Sequence, residues 1–213
     1  MNLERNPLRF ARLSNEPRAV IPDGSCGELW PINIRPAAND NAPRVIALSG
    51  AAGSGKSTAA DYLVRQYGYE RIKFAGPLKD AMRALGLTDY HIEGEGKERP
   101  CLLLQGKTPR YAMQTIGTQW GRDLIGPHFW VGLWEARANE VLDSGGRVVV
   151  DDCRFPNEAE AVRKLGGVVV RLVGRGGIGG GHSSETMDWE ADRYVYNDTT
   201  RERLYEILNE VAA

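Results

Sequence analysis

Val45-Ile46-Ala47-Leu48-Ser49-Gly50-Ala51-Ala52-Gly53-Ser54-Gly55-Lys56-Ser57-Thr58 is the stretch that decides the fold. Its apolar first half predicts a short buried strand over Val45 to Ser49. Gly50 to Thr58 then fills the pattern G-x-x-x-x-G-K-[ST], a P-loop. The chemistry explains each residue type. Glycines let backbone N–H groups curl around a β-phosphate, and the helix that follows turns its positive end toward that charge. Lys56 reaches the β/γ oxygens and Ser57 offers a hydroxyl to Mg2+. The nucleoside triphosphate site is therefore expected at Gly50, Ala51, Ala52, Gly53, Ser54, Gly55, Lys56, Ser57 and Thr58.

Outward from this loop, short β-branched runs alternate with amphipathic helical patterns, as in a parallel α/β sheet. Further strands are expected at Arg71 to Ala75, Arg147 to Asp151, Val168 to Val173 and Arg193 to Tyr196. Helices are expected at Lys56 to Tyr67, Pro77 to Leu85, Asn157 to Leu165 and Thr200 to Val211. The expected architecture is an α/β, doubly wound, five-stranded parallel sheet. It carries a helical acceptor-binding insertion at about 76–146 and a glycine-rich lid at about 174–182.

The composition agrees with one soluble domain and excludes several classes. The chain has 213 residues, 42% hydrophobic and 26% charged, with a net charge of -1. That near-neutral balance gives no reason to expect nucleic-acid binding, and no apolar run approaches the ~20 residues of a membrane span. Cys26, Cys101 and Cys153 have no close pair, so a disulfide framework is not expected and a reducing cytoplasm fits. Residues 1–43 read as a separate extension: they hold 6 of the 11 prolines, six asparagines and no lysine. Their Leu29-Trp30-Pro31-Ile32 patch could dock on the domain or on a second subunit, which leaves a homodimer open. The kinase-type P-loop domain is expected over 44–213.

A second acid is needed near the loop to support a metal, and Val148-Val149-Val150-Asp151-Asp152 supplies two candidates. Strand alternation lets only one of them face the P-loop. In the insertion, Thr108-Pro109 marks a helix start, an N-cap followed by proline at the first helical position. Arg110, Gln114, Gly117 and Gly121 share one face of that helix, with Arg122 on its flank. Met113, Ile116, Trp120 and Leu124 share the opposite face. Two glycines in mid-helix mean that something flat comes close, or that another helix packs there. A later helix, His128 to Leu142, aligns Trp130, Trp134, Ala138 and Val141 on one stripe. In the lid, Arg175 stands within Gly174-Arg175-Gly176-Gly177-Ile178-Gly179-Gly180-Gly181, placed to close over a transferring phosphoryl group. The loop is poor in basic residues, so Arg171 is a second candidate for that work. Cations gathered around one site in a neutral chain imply two polyanions bound together.

Several blocks, in order, resemble the phage-type deoxynucleoside monophosphate kinases. They are Phe74-Ala75-Gly76-Pro77-Leu78-Lys79, Gly96-Lys97-Glu98 and Thr108-Pro109-Arg110 through Gln114-Thr115-Ile116-Gly117-Thr118 to Gly121-Arg122. Pro127-His128-Phe129-Trp130-Val131, Asp152-Cys153-Arg154-Phe155-Pro156-Asn157-Glu158, His182-Ser183-Ser184-Glu185 and Asn197-Asp198 continue the series. The resemblance implies transfer of the γ-phosphoryl of ATP, with Mg2+, to a deoxynucleoside monophosphate in deoxynucleotide supply. It implies that Asp152, with Ser57, serves the metal and that Lys56, Arg154 and Arg175 serve catalysis. Phe74, Lys79, Arg110, Gln114, Thr118, Arg122, Trp130 and Arg154 are the implied acceptor residues, and Asn197 the residue beside adenine. His182 and Glu185 match without an assigned role. Two rivals remain: a phosphomevalonate kinase-like enzyme, which shares the Gly76-Pro77-Leu78-Lys79 and Lys97-Glu98 blocks, and a P-loop regulatory or DNA-packaging ATPase.

Overall fold

The computed structural model describes residues 42–176 and 188–213. Most of the N-terminal extension and the distal lid, with His182 and Glu185, lie outside the described residues.

Five parallel strands form one sheet in the order β2-β3-β1-β4-β5: β1 Val45–Ser49, β2 Glu70–Arg71, β3 Val148–Val150, β4 Val168–Val173 and β5 Arg193–Tyr196. Helices cover both faces, and alternation along the strands decides which residue meets which layer. Ile46, Leu48, Val149, Val170 and Leu172 pack with α1 (Lys56–Tyr67) and α7 (Arg201–Ala212) through Leu63, Leu204 and Leu208. Val45, Ala47, Val148, Val150 and Val169 pack on the other face. Their partners are Val131, Trp134 and Ala138 of α5 (Phe129–Asp143) and Ala159 and Val162 of α6 (Pro156–Lys164). The insertion has a small core of its own, Met82, Leu87, Ile92 and Met113. It joins α2 (Gly76–Ala84), α3 (Asp89–Ile92) and α4 (Pro109–Gln114).

β1, β4 and β5 occupy the residues that the sequence pattern predicts. β2 is shorter than the expected Arg71 to Ala75, for a reason visible in its hydrogen bonds. Glu70 and Ile72 donate their N–H groups to Arg147 and Val149 in the ladder, at 2.7 and 3.0 Å. The N–H groups of Phe74 and Ala75 instead reach the Asp152 carboxylate, at 2.9 and 3.0 Å. The chain leaves the sheet there because a side chain has taken over the role of the neighbouring strand.

The helix that begins after Thr108 also departs from expectation. Thr108 caps it as predicted, its hydroxyl accepting the Tyr111 N–H at 3.2 Å. Beyond Gln114, however, the turns widen into a π-helical segment over Thr115–Ile125. The wider turns rotate the apolar face away from the core. Met113 is buried, but Trp120 is 45% exposed and Leu124 77% exposed.

Candidate active site

Two adjoining structures lie at the carboxyl edge of the sheet, where ligands of open parallel sheets bind. The first is the loop between β1 and α1. Gly50, Gly53 and Gly55 have φ of 137°, 78° and 99°, conformations that side chains strain. A Cβ on Gly50 would lie 2.5 Å from the Leu172 carbonyl oxygen, so the loop's glycines also allow its close seating on β4. The Lys56 ammonium folds onto the loop, donating to the carbonyls of Gly50 at 2.7 Å and Ala51 at 2.6 Å. Ser57 is exposed at the start of α1. Asn197, placed beside adenine by the resemblance, is only 7% exposed and donates its side-chain amide to the Ser54 carbonyl at 2.8 Å. Its contact in this structure is with the loop itself.

Arg175 lies on the same side. Its guanidinium donates to the Thr199 carbonyl, and the next residue, Gly176, rests on the P-loop so closely that a Cβ would stand 2.8 Å from the Ser54 nitrogen. Arg171 is built into the sheet edge. It donates to Ser49 Oγ at 3.2 Å and to the Trp189 carbonyl at 2.6 Å, with its guanidinium 4.5 Å from the Trp189 ring.

The second structure is a cavity of about 300 Å³ between the sheet edge and the insertion. Phe74, Lys79, Arg110, Gln114, Thr118, Arg122, Trp130, Asp152 and Arg154 all line it. These residues come from four separate stretches of the chain, and the fold brings them to one cavity. Lys97, Phe155 and Glu158 join them. Their blocks stand out in the sequence, but no pattern there assigned them a part in the site.

Most of the cavity's cations are matched to acids. Lys79 pairs with Glu93 at 2.5 Å, Arg110 with Glu98, and Arg122 with Glu158 at 2.6 Å. Arg122 also lies 3.8 Å over the Phe155 ring. Burial, aided by the like charges of Arg110 and Lys79, lowers the pKa of Lys97. Burial raises Glu158 to about 7, with Asp152 adding to the effect and Arg122 opposing it. Cations held together in a partly dry cavity favour an anion of matching charge.

The two aspartates after β3 separate as alternation requires. Asp151 is buried on the α1 side, 3.7 Å from Arg71 and 3.5 Å from Lys73. Asp152 faces the cavity, and the pairing of Val150 with Ala47 sets it level with Ser49, the residue before the P-loop. Burial raises its pKa, although the N–H groups of Ala75 and Phe74 pull the other way.

Of the paired glycines of the insertion, Gly121 faces a flat group, and that group belongs to the protein. A Cβ on Gly121 would lie 2.6 Å from Trp130 Cε2 and 2.8 Å from Cζ2, and one on Gly117 would lie 3.3 Å from Leu78. The Trp130 indole donates to the Gly117 carbonyl at 2.8 Å and is 6% exposed. It is a fixed wall of the cavity. Among the described residues no cluster of three His, Cys, Asp or Glu side chains could cage a metal, and no helix is long and apolar enough to cross a membrane.

No family model matches the chain. A protein of Acanthamoeba polyphaga mimivirus is 37% identical over 143 residues, which cover 60% of this chain and 72% of that one. It carries the provisional name deoxynucleotide monophosphate kinase. The deoxynucleotide monophosphate kinase of Enterobacteria phage T4 is 26% identical over 234 residues, covering 76% of this chain and 95% of its own. Among solved structures, the APS kinase of Mycobacterium tuberculosis superposes with a TM-score of 0.44 at 14% identity, over 80% of this chain and 96% of that one. The shikimate kinase of Bacteroides thetaiotaomicron gives 0.41 at 14% identity, over 78% and 95%.

Proposed function

The chain belongs to the deoxynucleotide monophosphate kinase family, and on that premise we propose that it transfers the γ-phosphoryl group of ATP to a deoxynucleoside 5'-monophosphate, releasing ADP and the deoxynucleoside diphosphate. The observation that carries this reading is the cavity with Lys79, Lys97, Arg110, Arg122 and Arg154 on its wall, opening where β3 runs beside the P-loop. Two anion sites side by side are what in-line transfer between two phosphates requires.

The P-loop amides, with Lys56, hold the donor's phosphates, and Asn197 keeps the loop in shape through Ser54. On binding, the Lys56 ammonium exchanges the loop carbonyls for phosphate oxygens. Phe74 and Trp130 give the acceptor base apolar walls, and Gln114 and Thr118 give it polar groups. The cations take the acceptor phosphate, and each acid paired to them keeps its partner in place until that phosphate arrives. An acceptor phosphate with a second pKa of about 6 is already ionised near neutrality, so no general base is needed. Arg175 precedes Gly176, which rests on the P-loop, and serves the donor's side of the transfer.

Mg2+ suits the oxygens available. Asp152 keeps unused lone pairs on a partly buried carboxylate, Ser57 is exposed at the loop, and a small hard cation takes one or two protein oxygens and completes its shell from phosphates and water. Bound there, it would supply neutralisation of phosphate charge.

The test is ADP release with ATP and Mg2+, offering dGMP, dTMP, dCMP, dAMP, the matching ribonucleotides and phosphomevalonate one at a time. Turnover with one or more deoxynucleotides that is lost in Lys56→Ala, and that needs far more acceptor in Arg110→Ala, is the expected result. Turnover with phosphomevalonate alone, or ATP consumption that responds only to DNA, would overturn it.

A further inference from the structure

The reaction just described gives Glu158 no more than its pairing with Arg122, yet it is 2% exposed and lines the acceptor cavity. Both of its oxygens are engaged. Oε1 accepts from Arg122 Nη2 at 2.6 Å, and Oε2 accepts the backbone N–H groups of Arg154 at 2.7 Å and Phe155 at 3.1 Å. We propose that Glu158 is the positioning residue of the acceptor site, one carboxylate that sets Arg122 through its side chain and Arg154 through its backbone before the acceptor phosphate arrives.

A glutamate in the first turn of a helix often does no more than cap free N–H groups. Three features go beyond that. A capping carboxylate is ordinarily solvated, whereas this one is buried at the expense of its own ionisation. It reaches an arginine 36 residues earlier in the chain, on a different element. That arginine also lies over the ring of Phe155, whose N–H the same carboxylate holds. Arg154 is fixed from the other side too, because Trp189 Nε1 donates to its carbonyl at 3.0 Å. The Arg154 backbone therefore has little freedom at either end.

The inference rests on the acceptor reading above, so wild-type turnover with a deoxynucleoside monophosphate is measured first; without it that reading fails, and the following comparison is not the reason. With turnover in hand, Glu158→Gln keeps the shape and removes the charge. The acceptor KM is expected to rise about tenfold, the scale of one charged hydrogen bond lost, while the ATP KM stays within about twofold. A Glu158→Gln, Arg122→Gln double variant should lose well short of the product of the two single losses, since both act through one contact. A residue with a merely structural part would lower the melting temperature and shift both KM values together. Equal shifts in the two KM values, an unchanged acceptor KM, or losses that multiply in the double variant would each overturn the proposal.

Discussion

Replacing Gly121 with alanine sets two effects against each other, and their magnitudes decide the outcome. Helix propensity alone favours alanine by about 1 kcal/mol. The new Cβ, however, would stand 2.6 and 2.8 Å from two carbons of the Trp130 ring, well inside contact distance. Trp130 cannot yield freely, because its indole donates to the Gly117 carbonyl and its ring packs edge-on to Phe129 at 4.7 Å between centroids. Overpacking of this kind costs about 2 kcal/mol, and losing a buried hydrogen bond adds about 1 kcal/mol. The net is a destabilisation of about 2 kcal/mol. For a domain of this size that lowers Tm by roughly 4–8 °C. Thermal unfolding of wild type and Gly121→Ala measures the first effect, and the acceptor KM measures the second, since a displaced Trp130 deforms the cavity wall. An alanine variant with an equal or higher Tm and an unchanged acceptor KM would refute the reasoning.

Two further outcomes follow from contacts already described. The folded protein holds the Glu158 proton to about pH 7, against an ordinary value of 4.5. Native protein therefore binds more protons than unfolded chain between those values, and stability falls as pH rises through that window. Arg122, Asp152 and Cys153 are the titratable and charged groups that face this carboxylate. Denaturant unfolding at pH 5 and pH 8 should show Glu158→Gln gaining on wild type by up to about 3 kcal/mol, whereas parallel curves would contradict the assignment. Thr108→Ala removes the cap on α4 and should lower stability by about 1 kcal/mol, read in the same unfolding experiment; no change would mean that the cap is dispensable.

The parts of the fold that could be read in advance are those set by local pattern. Val45 to Ser49 and Val168 to Val173 are apolar runs bounded by glycines or charges, the second broken only by Arg171, and such runs make buried parallel strands. Lys56 to Tyr67 is bracketed by Gly55 and Gly68, both in left-handed conformations, and the second of them ends the helix. The P-loop pattern located the glycine-rich loop between β1 and α1. The eight residues expected to bind the acceptor line one cavity together with Asp152, because they follow β2 or β3 or belong to the helices of the insertion. What stayed hidden depends on distant partners. The early end of β2 follows from the Asp152 carboxylate, 78 residues away from Phe74. The π-helical turns around Gly117 and Gly121 accommodate Trp130, which no periodicity within that helix could announce. The contact of Asn197 with Ser54 and the burial of Glu158 beneath Arg122 are likewise visible only once the strands are side by side.

The most direct measurement is the fate of the phosphoryl group itself. ATP labelled at the γ-phosphoryl is incubated with the protein, Mg2+ and the best deoxynucleoside monophosphate, and the products are separated. Label is expected in the deoxynucleoside diphosphate in step with ADP, with none of that transfer in Lys56→Ala. Label appearing as inorganic phosphate, with the deoxynucleoside monophosphate unchanged, would contradict the account and leave an ATPase in its place.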